Sequence, residues 1–167
     1  MAAGYPREVR IERRLEALGL QLPRPIQAPA GVRLPFAPVR VRGQRAFVAG
    51  HGPLNPDGTV AGPFGKVPSE VNPEQAYASA RLVGLAMLGS LQRVLGDLDR
   101  ISAWLRIFGM VNCQPDFDGQ PGVINGCSDL ILEVFGPEIG QHARSAVGMV
   151  ALPFRIPVEI EAELEFD

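Results

Sequence analysis

Residues 158–166, VEIEAELEF, alternate without a break. Val158, Ile160, Ala162, Leu164 and Phe166 fall on one side of an extended chain, and Glu159, Glu161, Glu163 and Glu165 on the other. Such a strand puts one sheet face on a core. Burying four unpaired carboxylates would cost several kcal/mol each, so the other face must meet solvent, arginines or a wet interface.

The rest of the chain supplies partners for that strand. Val32–Phe36 and Val39–Val41 are short and β-rich, Gly43-Gln44 marks a turn, and Arg45–Ala49 reads as a returning strand. Asn72-Pro73-Glu74-Gln75 offers an N-cap, a proline at the first helical position and an acidic first turn. The helix it opens, Ala76–Leu95, is apolar on more than one face and is expected to be mostly buried, with Gly84 and Gly89 permitting close approach and Gly96 as its stop. Ile101–Val111 reads as a buried strand, residues 122–135 as a second helix ending at Gly136-Pro137, and Ser145–Leu152 as a further strand. The order β-β-α-β-α-β-β predicts an α+β fold: a mixed sheet with two helices packed on one face. Nothing in the chain covers the opposite face, which predicts an oligomer.

Ahead of this domain, residues 8–19 place Ile11, Leu15 and Leu18 at helical spacing before Gly19. Pro23, Pro25 and Pro29 follow. Residues 1–30 are therefore expected to be an N-terminal helical extension and Pro-rich connector, and residues 31–167 the domain proper.

Length and charge narrow the function classes. A chain of 167 residues, 46% hydrophobic and 20% charged, fits one globular domain. Its net charge of −2 gives no footprint for DNA or an anionic membrane, and RNA is not an expected partner. No run approaches the ~20 apolar residues of a membrane span. Cys113 and Cys127 are too far apart for a CxxC motif, so structural thiols and a cytoplasmic setting are expected. Two histidines, His51 and His142, form no metal-binding set, and no glycine-rich phosphate loop appears. No metal and no cofactor are expected. Arg144, in His142-Ala-Arg-Ser-Ala-Val147, can offer a rigid fork of donors to a carboxylate. On residue type alone, an arginine near a strand end is more often a surface ion pair.

The segments Ala143-Arg-Ser-Ala-Val147, Leu152-Pro153 and Val158-Glu-Ile-Glu-Ala162 together resemble the C-terminal signature of the YjgF/RidA family, also called L-PSP endoribonuclease-like. Phe47-Val-Ala-Gly50 with His51 resembles that family's strand ending in serine-glycine-glutamine, and Val123-Ile124-Asn125 its asparagine-bearing second helix. The resemblance spans about residues 31–167 and suits a longer-chain subgroup.

What the resemblance implies is a chorismate-mutase-like fold, assembled as a homotrimer with clefts between subunits. It also implies an enamine/imine deaminase that converts 2-aminoacrylate-type and other 2-imino acids to 2-oxo acids and ammonia without a cofactor. Arg144 would bind the substrate carboxylate, and Glu159 would position or activate the attacking water. Phe36, His51, Asn125, Ser145 and Ala146 would line the cleft, with Asn125 and Phe36 supplied by a neighbouring subunit. The chain departs from the family pattern at three of these positions and at Gly148. Ala146 stands where many members have cysteine, Phe36 for tyrosine, His51 for glutamine, and Gly148 where deaminases often carry glutamate. Two alternatives follow: a trimer that binds a small carboxylate without turnover, and an endoribonuclease, against which the charge counts.

Overall fold

The computed structural model describes residues 10–167. In chain order the elements are α1 (Arg10–Ala17), β1 (Val39–Arg42), β2 (Arg45–His51), α2 (Pro73–Leu95), β3 (Ile101–Asn112), α3 (Gln120–Gly140), β4 (Ala143–Met149) and β5 (Val158–Phe166), with 3-10 turns at Leu98–Arg100 and Pro153–Arg155. The mixed α+β order expected from the sequence is the one observed. Among the described residues no helix is long and apolar enough to cross a membrane.

The five strands form one sheet in the order β1-β2-β5-β3-β4. All pairs are antiparallel except β3 with β4, which α3 connects as a crossover. The alternating segment is the central strand, β5. Its apolar residues Val158, Ile160, Ala162, Leu164 and Phe166 are buried under α2 and α3, together with Trp104, Ile107 and Val111 of β3. The glutamates face the other way, where the described residues provide no covering layer. Glu165 lies 3.6 Å from Arg45 across β2, an exposed pair worth at most about 1 kcal/mol. Phe47 and Phe108 stand among these charges, with the Arg106 guanidinium 5.6 Å from the Phe108 ring.

Local signals set the element ends. Asn72 caps α2 in a full capping box with Gln75, and Gly96 closes that helix at φ 81°. Gly43, at φ 59°, makes the two-residue turn between β1 and β2. Close approach sets the helix packing. A Cβ at Gly84 would sit 2.7 Å from Leu130, and one at Gly126 only 2.1 Å from the Tyr77 carbonyl oxygen.

Helix α1 is docked on the domain. Its N-terminal amides at Arg10 and Ile11 donate to the buried Asp99 carboxylate, while Glu12 accepts from the Leu98 amide at 3.0 Å. Gly19 and Leu20 donate back to Glu16 and Leu15, a Schellman ending. Burying Ile11 and Leu15 contributes about 1.5–3 kcal/mol each. Residues 8 and 9 of the expected helix lie outside the described residues.

The structure departs from the sequence expectation in three places. Val32–Phe36 forms no strand, since Pro35 and Pro38 cannot donate to a ladder and its apolar side chains instead line a cavity. The second helix runs past Gly136, which breaks it at φ 73° and ψ 170°, and resumes for one turn to Gly140. The strand expected at 145–152 is β4, displaced to 143–149.

Candidate functional site

Arg144 projects from β4 toward the N-terminal half of α3. Its Nη1 donates to Asn125 Oδ1 at 2.8 Å and to Ser128 Oγ at 3.1 Å, and its Nη2 donates to the Pro121 carbonyl at 3.2 Å. All three acceptors are neutral. No ion pair joins Arg144 to a carboxylate among the described residues. Three of the five guanidinium N–H bonds are used, which leaves two, and a half-buried charge with no counter-ion.

The cradle is ordered behind the arginine. His142 Nδ1 donates to the Gly140 carbonyl at 2.7 Å, so Nε2 of the neutral ring accepts from Ser128 Oγ at 2.9 Å. Ser128 is then free to accept from Arg144. Burial holds the His142 pKa below its ordinary value, although the Gly140 bond opposes this, and the Arg144 charge lowers it further. The neutral tautomer that the relay needs is thus the favoured one. Sequence reasoning passed over Ser128. Its spacing of three from Asn125, one helical turn, was the available signal.

A second constellation lies at the N-terminal end of β5. Phe36, His51, Ser90, Arg93, Phe154 and Glu159 line a cavity of about 710 Å³, with apolar side chains of residues 25–38 forming one wall. Here the same order of groups recurs. His51 Nδ1 donates to the Ala49 carbonyl at 2.6 Å, Ser90 Oγ donates to His51 Nε2 at 2.9 Å, and Arg93 Nη2 donates to Ser90 at 3.1 Å. Arg93 Nη1 donates to the Pro23 carbonyl at 3.1 Å. Burial is the main reason the His51 pKa is lowered. Glu159 is half-buried, and its pKa is raised by burial first and by the Glu161 charge second. Position 50 must be glycine for this carboxylate to sit there, because a Cβ would stand 2.0 Å from Glu159 Oε1.

Phe154 and Arg155, at the cavity rim, both have φ 57°, a left-handed conformation that costs roughly 1–2 kcal/mol per non-glycine residue. The Arg155 carbonyl accepting from the Gly65 amide at 2.7 Å and its guanidinium on Glu70 at 2.6 Å hold this turn.

The two constellations do not converge in one chain. Arg144 lies opposite Ile107, and Ile107 opposite Ala162, all on the helix-covered face. Glu159, three residues from Ala162, points from the other face. Asn125 holds Arg144 within its own chain, where a neighbour's was expected, and Phe36 shares its cavity with Glu159.

Ser145 is exposed on the face opposite Arg144, and Ala146 shares the Arg144 face but packs against the core. Neither touches the guanidinium. At Gly148 a Cβ would stand 2.8 Å from Cys113 Sγ, so a side chain at this position requires Cys113 to shift.

Cys127 is buried beneath this site. Its thiol is pushed up to about 12 by burial, against the pull of the Arg144 charge, and is no nucleophile. Glu12, Asp97 and Asp99 form an acidic cluster, and each accepts a backbone N–H of α1 or of the turn before β3.

Comparison with known proteins matches residues 12–158 to a family described as YjgF/chorismate mutase-like, with a provisional endoribonuclease label. Protein TCP17 of Trypanosoma cruzi is 36% identical over 158 residues, 95% of each chain. An Agrobacterium tumefaciens protein of unknown function, solved by crystallography, is 36% identical with a TM-score of 0.83, over 95% of this chain and 92% of that one. A Shewanella oneidensis structure, provisionally called an endoribonuclease, is 28% identical with a TM-score of 0.82, over 93% and 99%. Escherichia coli TdcF, crystallised with bound serine, shares the fold at 17% identity and a TM-score of 0.57, over 86% and 99%.

Proposed function

The chain belongs to the YjgF/chorismate mutase-like family, and on that premise we propose that it hydrolyses 2-imino acids, or their enamine tautomers, to 2-oxo acids and ammonia in a cleft between copies of itself. The observation that carries this reading is the Arg144 guanidinium. It is held by neutral acceptors alone, with two N–H bonds free for a carboxylate. Serine in the TdcF crystal structure is a ligand of the matching kind, an amino acid with a free carboxylate.

Arg144 would fix the substrate acid group. Glu159, its pKa moved toward neutrality, would accept a proton from water as the oxygen bonds to the imine carbon. That proton passes to the imine nitrogen, giving a carbinolamine; the carboxylate then moves the hydroxyl proton to the amino nitrogen, so that the C–N bond breaks and ammonia leaves as the carbonyl forms. An imine is already electrophilic, so orienting acid group and water supplies much of the acceleration.

Because Arg144 and Glu159 point from opposite sheet faces, the site needs two copies, and a homotrimer provides three equivalent clefts. The uncovered face bearing Phe47, Phe108 and the glutamates is the surface we assign to that assembly.

In an assay that generates the imine with an amino-acid oxidase, Arg144→Ala lowers kcat/KM for ammonia release at least about 30-fold, the low end for breaking a desolvated charge pair. Unchanged turnover, or a monomeric particle in solution, ends the proposal. Phe36 carries no hydroxyl into the cavity, which supports a second reading as a carboxylate-binding trimer without turnover. Calorimetric binding of 2-oxo acids with no ammonia release would select it.

A further inference from the structure

We infer that the substrate of this site carries a bulky apolar side chain, branched aliphatic or aromatic, which occupies the cavity beside Glu159. The inference rests on the imine-hydrolysis reading and adds the substrate class to it. The cavity, about 710 Å³, falls within the roughly 300–1,000 Å³ of sites that enclose drug-sized ligands. A three-carbon acid would leave most of it empty.

The distribution of polar groups says what fills the rest. Ile26, Val32, Leu34, Val94 and Phe154 supply apolar wall. Of the polar side chains there, His51 has both ring nitrogens bonded, to Ala49 and Ser90, and Ser90 is bonded to His51 and Arg93. Arg93 spends two of its five N–H bonds, on Ser90 and the Pro23 carbonyl, and among these side chains it alone keeps donors to spare, while Glu159 belongs to the reacting end of the ligand. Away from Arg93 a polar tail would shed its water and meet only apolar wall, whereas an apolar tail gains by burial.

The wall is held in place for this. The connector is pinned by Arg24 to the Pro56 carbonyl and by Gln27 to Gly58 and Asp57, and Gly58, at φ 91°, lets the Pro25 carbonyl approach to where a Cβ would stand 2.3 Å away.

The test compares imines generated from alanine and from leucine, together with calorimetry of pyruvate and 4-methyl-2-oxopentanoate. Three more carbons at about fourfold each predict a ~60-fold higher kcat/KM for the leucine-derived imine. Val94→Trp, on the exposed side of α2, fills the cavity and removes at least about tenfold of that preference. Equal or better use of the alanine-derived imine by the wild-type protein overturns the inference, whether or not the variant folds. A Val94→Trp particle of altered mass also overturns it, since the cavity is then a contact between copies. If no imine is turned over but 4-methyl-2-oxopentanoate binds more tightly than pyruvate, and Val94→Trp abolishes the difference, the pocket stands and the deaminase reading falls. If the two 2-oxo acids then bind equally, both fall.

Discussion

Gly126→Ala tests the helix packing and the Arg144 cradle together. The new Cβ would lie 2.1 Å from the Tyr77 carbonyl oxygen, 2.9 Å from its carbon and 3.2 Å from the Ala80 Cβ. The first two are backbone atoms of α2, so no rotamer change relieves the clash, and α3 must move away by about 1 Å to restore ordinary contact. Overpacking of this kind costs about 1–3 kcal/mol, and a rigid obstacle points to the upper end. Replacing glycine by alanine inside a helix returns about 0.8–1 kcal/mol. The net loss is about 2 kcal/mol, or a Tm lower by roughly 4–8 °C for a chain of this size. Gly122→Ala, where no atom lies within 4 Å of the new Cβ, avoids the clash and keeps or slightly raises stability. Urea titrations of the parent and both variants at one protein concentration measure this directly. Asn125 and Ser128 flank Gly126, so the displacement also withdraws two of the three groups that hold Arg144, and Gly126→Ala binds 2-oxo acids more weakly than the parent. If Gly126→Ala matches the parent in urea midpoint, α2 and α3 are not in the close contact described, and the account of the cradle fails with it.

Two further outcomes follow from Glu159. Gly50→Ala drives its Cβ against the far end of the Glu159 side chain, which can rotate away, so stability changes by less than about 1 kcal/mol. Imine hydrolysis measured on the same sample falls at least about 100-fold as the displaced base leaves the site. The Glu159 carboxyl titrates above its ordinary 4.5 in the folded chain, so between that value and the raised one the folded state binds more protons than the unfolded. Stability contributed by this group therefore declines as pH climbs through that window. Glu159→Gln is accordingly more stable than the parent at pH 7, and the gap closes below about pH 4. A gap that is constant across pH, read from denaturation midpoints, would show that burial does not penalise this carboxylate.

Short-range patterns carried the parts of the fold that depend on neighbours in the chain. The capping sequence at Asn72–Gln75, the Gly43-Gln44 turn and the two-residue alternation of β5 each act within a few residues, where side chain and backbone meet whatever the rest of the molecule does. The identity of Arg144 as the carboxylate-binding candidate was also legible, because its motif is contiguous. Tertiary structure alone decided which groups share a space. Strand register sets Arg144 and Glu159 on opposite faces of the sheet, and register is a relation between segments far apart in sequence. The same holds for the connector. Val32–Phe36 has the composition of a strand, but no free sheet edge meets it, and its prolines withhold the donors a ladder needs. Packed over the end of β5 instead, those residues become the wall of the cavity, a role that no local pattern encodes.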